Sequence, residues 1–395
     1  MKIRSHSILV SLFFAVLCSL LALTSRAQYI GYTTYGDGLH VIAEDSSFTM
    51  KFRVRFQTLY QGELDTRSGD YSDQFLIRRA RIKFDGNILT PRLVYKVELA
   101  IANADTRAGA IPEAGNTSSI VLDALLKYRF APHWTIWAGQ TKLPGNRERV
   151  VSSQALQFVD RSHLNSVFNL DRDVGIQLLY ATNYVNFIGA ITKGEGRNII
   201  TSSGDGYDYT LRAEYLIFGK FTNKGDYFLS DLEREPTPKL SLGVTYDFNA
   251  KAKRLNGQLG SFVADSAHRD LSTWFVDAHF KYNGWSSLFE YANKSAPAGP
   301  VILDKNGNFS KAFYTGWGIN WQAGYVFKNN IEIAARYTFV SPEKVTNRNN
   351  NAQYTIATSK YFSGHDFKVQ SDLTLIKEAA SANQLMFRLQ FEFAL

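Results

Sequence analysis

A chain of 395 residues with one cysteine, a formal net charge of +8 and an ordinary 45% of hydrophobic residues excludes a disulfide-built domain and carries no signature of a nucleic-acid binder. Aromatic residues reach 14%, with 21 Tyr and 28 Phe, yet beyond residue 27 no apolar run is long enough for a membrane helix. Aromatic enrichment without helical spans points to strands that meet lipid with every second residue.

The first 27 residues begin with Lys2 and Arg4, continue as an apolar run over residues 8 to 23, and end on the small residues Ser25 and Ala27. That is the layout of a cleaved secretory signal. A retained anchor is the weaker alternative, because a spanning helix needs about 20 apolar residues. Cys18 follows Leu17, where a lipoprotein signal would want a small residue, so no lipid anchor is expected. Residues 28–46 then form an N-terminal segment on the periplasmic side, and 47–395 form one domain with no composition shift.

From Phe48 the apolar residues Phe48, Met50, Phe52, Val54 and Phe56 alternate with Thr49, Lys51, Arg53, Arg55 and Gln57. This period of two is the signature of a strand with two unlike faces. Further alternating runs fall at 80 to 88, 93 to 101, 120 to 130, 134 to 138 and 174 to 180. Others lie near 184 to 192, 207 to 217, 240 to 248, 274 to 282, 285 to 292, 313 to 327, 331 to 339, 352 to 361 and 366 to 376. The last run places Leu385, Phe387, Leu389, Phe391, Phe393 and Leu395 on one face, which makes sixteen strands in all. Short connections such as Asn283-Gly284 alternate with long polar ones at about 61 to 73, 103 to 118, 142 to 171, 193 to 206, 249 to 270, 293 to 311 and 341 to 351. Residues 219 to 239 break the rhythm as an enlarged turn.

Hydrocarbon offers no hydrogen-bond partners, so such a sheet has to close on itself. The predicted fold class is therefore all-β, a transmembrane antiparallel β-barrel of about 16 strands; a large soluble β-protein is the competing reading, disfavoured by strand length and aromatic content. If Phe52, Val54 and Phe56 face lipid, then Lys51, Arg53 and Arg55 face the lumen, and by the same phase Arg79, Arg81, Lys83, Lys127 and Arg129 do too. Glu98 and Asp123 share that face, so the lumen is mixed with a basic excess. Two readings stay open: a basic lumen that concentrates anions, or charges that pair to stiffen the wall. Residues 142 to 171 carry Lys142, Arg147, Arg149 and Arg161 beside Ser152 and Ser153; this stretch either folds into the lumen or lies on the cell surface.

No Gly-x-Ser-x-Gly elbow, P-loop or His-x-x-x-His pair is present, so no enzyme chemistry, metal or cofactor is expected. The histidines after residue 27 are dispersed, and Asp171-Arg172-Asp173 is a poor calcium site because a guanidinium stands between its acids.

Several stretches resemble the phosphate-selective porin O and P family. These are Asp37-Gly38-Leu39, the strand to Arg55-Phe56-Gln57, Arg78-Arg79-Ala80-Arg81, the run from Gly139-Gln140-Thr141-Lys142-Leu143-Pro144 through Asp160-Arg161-Ser162 to Asp171-Arg172-Asp173-Val174-Gly175, and Gly364-His365-Asp366. The resemblance implies a homotrimeric, sixteen-stranded porin of the bacterial outer membrane whose third loop folds into the pore and through which small inorganic anions such as phosphate diffuse passively. It also implies that Arg55, Arg78 and Arg79 lie on an arginine ladder, and that Arg149, Ser152, Ser153 and Arg161 lie on the constriction loop; Arg81 joins them by strand phase. Arg78 is out of phase with its neighbours, so only a bulge or a strand end would bring it to the pore. The partners expected are outer-membrane lipid, two further copies of the chain and small anions, with no nucleic acid. The competing functions are a general porin for small polar solutes or sugars, and a non-conducting barrel that serves as an adhesin or scaffold through its long loops.

Overall fold

A computed structural model describes residues 29–30, 35–106, 119–200, 206–379 and 381–395; the expected signal, 1–27, lies outside them. Sixteen long strands follow in chain order. The first eight are β1 (Thr49–Asp65), β2 (Tyr71–Ile88), β3 (Thr90–Ala100), β4 (Val121–Ala131), β5 (Trp134–Lys142), β6 (Arg172–Ala181), β7 (Val185–Thr192) and β8 (Asp208–Leu216). The second eight are β9 (Lys239–Ala252), β10 (Arg269–Tyr282), β11 (Trp285–Ser295), β12 (Gly316–Val326), β13 (Ile331–Pro342), β14 (Asn351–Ser363), β15 (Phe367–Glu378) and β16 (Gln384–Ala394). Each pairs antiparallel with the next, and β16 returns to β1 with Gln384 opposite Asp65 and Ala394 opposite Arg55. The sheet thus closes with no free edge, which satisfies every strand's backbone in a medium without water.

Alternation does the sorting. On β6 the outward residues Val174, Ile176 and Leu178 stay exposed, whereas inward Asp173 and Gln177 are buried. Aromatic side chains collect at the outer rim near the short turns, where Phe130, Trp134, Tyr180 and Phe187 form a chain of ring contacts with centroids 4.8 to 6.4 Å apart. Amphipathic rings gather where hydrocarbon meets headgroups. The two-residue turn at Asn283-Gly284 has positive φ at both residues (47° and 91°), the geometry that continues the strand twist of a hairpin.

The first loop departs from the sequence expectation. The first connection is only residues 66 to 70, because β1 and β2 continue as a paired ribbon through Leu64 and Tyr71. Polar residues in that ribbon hide its strand character, since above the lipid neither face has to be apolar.

Loop 3, residues 143 to 171, lies inside the barrel. Its helical turn His163–Phe168 packs Leu164, Val167 and Phe168 onto the inward residues Ala190, Phe275, Ala292 and Val340. The Ser162 side chain caps this turn by accepting from the Asn165 amide. Gly318 on β12 leaves the room it needs, for a Cβ there would stand 2.8 Å from Leu164 Cδ1. The enlarged turn, residues 217 to 238, enters from the opposite end, and its Leu229 meets Val151, Ala155 and Leu156 of loop 3. One side of the barrel is therefore filled like the core of a soluble protein.

Candidate functional site

The passage that remains runs between the edge of loop 3 and the wall of β16 and β1 to β8. Above the narrowing is a cavity of about 350 Å³ with Arg78, Arg79, Arg81, Arg149, Arg161, Arg172, Arg197 and Arg388 in its lining, against three carboxylates, Asp105, Asp160 and Asp171. Below it are cavities of about 560 and 440 Å³, both lined by Arg81, Lys96, Glu98, Val150 and Ser152. Arg81 reaches all three spaces, and Arg172 joins the upper one to the larger lower one.

The position of Arg78 has a local cause. The β1–β2 register slips where Gln57 faces Arg79 and Thr58 faces Ile77, so Arg78 is the extra residue of a β-bulge. The bulge brings two successive side chains to the same face. Both close on Asp160, Arg78 Nη2 at 2.6 Å and Arg79 Nη2 at 2.8 Å. Burial opposes ionisation of Asp160, but Arg79, Arg78 and Arg388 outweigh it and hold its carboxyl well below the usual carboxylate range.

Arg81 donates to Asp105 at 2.7 Å and to Glu98 at 3.0 Å. Asp105, on the loop turn Asn103–Thr106, is disfavoured as an anion by burial, yet the Arg81 hydrogen bonds and charge bring its carboxyl down to about 2. Arg55 donates to Ser153 Oγ at 2.9 Å and lies 3.5 Å from Glu392. Ser153 is buried behind that guanidinium, whereas Ser152 is exposed to the lumen. Arg149 pairs with Asp171, and Arg161 donates to the carbonyls of Glu148 and Val151 at 2.9 and 2.8 Å. Burial, then Arg79, lower the Arg161 guanidinium to about 9, still charged at neutral pH.

The eight expected residues thus divide. Arg55, Arg81, Arg149, Arg161 and Ser152 line open space; Arg78 and Arg79 line it while holding loop 3 through Asp160; Ser153 stands behind Arg55. Arg172, Lys96, Arg197 and Arg388 also line the passage, and sequence reasoning did not single them out as site residues. For Lys96 the signal was present, two positions before inward Glu98; Arg197 comes from the connection that follows β7, where no periodicity assigns direction. Asp171, Arg172 and Asp173 are each used separately, by Arg149, by Asp123 at 2.9 Å and by the Gly194 amide. Among the described residues no group of three or more His, Cys, Asp or Glu could hold a metal ion.

Loop 3 is fixed on its far side by ionic contacts. Arg147, fully buried, pairs with Glu214 at 2.9 Å and Asp277 at 3.4 Å and donates to Ser241 Oγ at 2.8 Å. The Glu148 amide donates to Glu290, and Gln157 donates to Glu332 at 2.7 Å. Barrel and loop are thus one electrostatic unit.

Comparison with known proteins agrees with this geometry. Solved structures with the same fold include OmpT of Vibrio cholerae in a loop-deleted form (11% identity, TM-score 0.56, 88% of this chain and 100% of that one). An anion-selective porin from Comamonas acidovorans aligns at 12% identity and TM-score 0.56 over 88% of this chain and 100% of that one. The outer-membrane channel DcaP of Acinetobacter baumannii aligns at 13% and 0.54, over 89% and 99%. No curated protein sequence matches the chain. The sequence profile of the phosphate-selective porin O and P family matches residues 48–385, nearly the whole barrel. With that match and a closed sixteen-stranded wall around an infolded third loop, the chain belongs to the phosphate-selective porin O and P family and is a porin of the bacterial outer membrane.

Proposed function

We propose that the protein is a passive diffusion channel that prefers small anions, phosphate among them, and that it works as a homotrimer exported by a cleaved signal at residues 1–27. The observation that carries this reading is the charge of the passage. The upper cavity holds eight arginines against three carboxylates, and the larger lower cavity holds seven basic side chains against Glu98, Asp123 and Glu214. A low-dielectric wall focuses that excess, so an anion gains and a cation loses on entering. Arg55, Arg81, Arg149 and Arg161 act as anion ligands, with Ser152 as a neutral donor. Arg78, Arg79 and Ser153 serve mainly to place loop 3 and Arg55. No energy source is needed, because selection is electrostatic and steric.

The connections after β9 and β11 are anchored at their bases, a poor arrangement for an adhesin. Leu255, Val263 and Ile302 pack over a cluster of Ala252, Leu271, Ala296 and Phe313 at the barrel mouth, with residues 303 to 311 exposed beyond it. The reversal potential across a potassium chloride gradient in planar bilayers tests the proposal. A potential of the sign set by chloride is expected; the sign set by potassium overturns anion preference and leaves the barrel untouched.

A further inference from the structure

Most apolar residues on the inner wall are covered: Phe275, Ala292 and Val340 lie under loop 3. Three neighbouring strands break that rule. Trp137 of β5, Leu179 of β6 and Ile188 of β7 point inward, remain half-buried, and line the open lower cavity of about 560 Å³. Leu179 and Ile188 face each other across the β6–β7 ladder, and Trp137 faces Lys127 across β4–β5. The Lys127 ammonium lies 3.7 Å from the Trp137 ring centre, and among the described residues no carboxylate is within salt-bridge distance of it. The acids of this cavity are already engaged: Asp123 by Lys96 and Arg172, Glu98 by Arg81 and Lys96, Glu214 by Arg147 and Arg212. An apolar wall beside a positive charge that meets an aromatic ring and no carboxylate is ill suited to a hydrated inorganic ion, which gains nothing from hydrocarbon. It suits a ligand with a charged end and an apolar body, and the volume is typical of small-molecule sites, roughly 300–1,000 Å³.

We propose that this vestibule is a subsite for small organic anions, aromatic or alicyclic carboxylates, whose carboxylate meets Lys127 and the cations around it while the ring lies on Trp137, Leu179 and Ile188. The proposal rests on the anion-channel reading above and adds a substrate class to it. Selection here is by contact with the body of the solute, so it separates carboxylates of equal charge.

The test is block of chloride current through the full-length protein in planar bilayers by benzoate, with acetate as the small carboxylate of equal charge. Benzoate is expected to block at about tenfold lower concentration than acetate, the ratio for roughly 60 Å² of ring surface leaving water. The ratio is expected to fall to about twofold in Trp137→Ala and in Leu179→Ser, each compared with acetate in the same variant; two strands are probed in case one variant does not fold. Equal block by benzoate and acetate in the wild type, or an unchanged ratio in folded forms of both variants, overturns the subsite while a chloride-signed reversal potential still stands. A potassium-signed reversal potential in the wild type removes the anion-channel reading and the subsite with it.

Discussion

Asp160 shows how one carboxylate can set the shape of a pore. It receives Arg78 and Arg79 from a bulge on β2, so a loop residue becomes part of the wall. Asp160→Asn leaves two guanidiniums facing each other without a counter-charge, one of them 4% exposed. A cost of about 3 kcal/mol is expected, near the low end for breaking a buried pair, because Asp160 keeps some contact with water. Thermal unfolding in detergent measures it, and an unchanged midpoint would contradict the role given to Asp160. The pH dependence has a definite sign. The folded-state carboxyl titrates well below the ordinary value, so its contribution is complete above the unfolded value of about 4 and is lost only as pH falls through the lower folded value. The difference in unfolding midpoint between wild type and Asp160→Asn should stay level from pH 8 to about 4 and shrink only in stronger acid. Arg81 acts on permeation more directly, because it borders all three cavities. Arg81→Gln is expected to lower the chloride-to-potassium permeability ratio by about threefold, read from the reversal potential.

Strands and loops divide the work differently. A strand assigns each residue to lipid or water by parity, so adjacent substitutions on β6 should differ sharply. Ile176→Arg puts a cation on the lipid face, away from the aromatic rim, and is expected to cost about 2–4 kcal/mol near the bilayer midplane. Gln177→Arg puts the same charge beside the open lower cavity that Gln177 borders, with loss of its hydrogen bond to the Lys142 carbonyl, and should cost less; folding titrations into lipid vesicles compare the two. Loop 3 has no parity and depends on fit. Gly318→Leu would drive a side chain into the space of Leu164, and the expected result is a displaced loop and a larger single-channel conductance. Unchanged conductance in that variant would mean that the His163–Phe168 turn has room to shift along the wall.

At the scale of the whole molecule, closure and filling solve separate problems. Closure satisfies the backbone within hydrocarbon, and the outward alternation of apolar and aromatic residues supplies a surface that lipid can wet. Filling narrows a wide barrel: loop 3 from one end and residues 217 to 238 from the other meet at Leu229 and Leu156, leaving a passage along β16 and β1 to β8. The cationic excess lies on that open side, whereas Arg147 and Asp277 are buried on the filled side and tie to Arg212 and Glu214 at the edge of the lower cavity. Charge pairing and a cationic excess, two alternatives at the sequence level, therefore coexist in one lumen: Arg78, Arg79, Arg81 and Arg172 are ion-paired and still line the passage.

The sequence by itself determined the wall. Parity along each segment depends only on neighbouring residues, so the strands, the lipid face and the inward direction of Arg55, Arg79 and Arg81 were legible before any coordinates. Family resemblance added an infolded third loop, which strand periodicity alone left undecided. Tertiary structure decided what parity leaves open. The bulge at Arg78 depends on the register between two strands, the inward path of residues 217 to 238 depends on Leu229 meeting loop 3, and the engagement of Arg78 and Arg79 depends on Asp160, about eighty positions away in the chain. Contacts between residues far apart in sequence have no local period, and in this molecule they decide which carboxylate each pore-lining arginine meets.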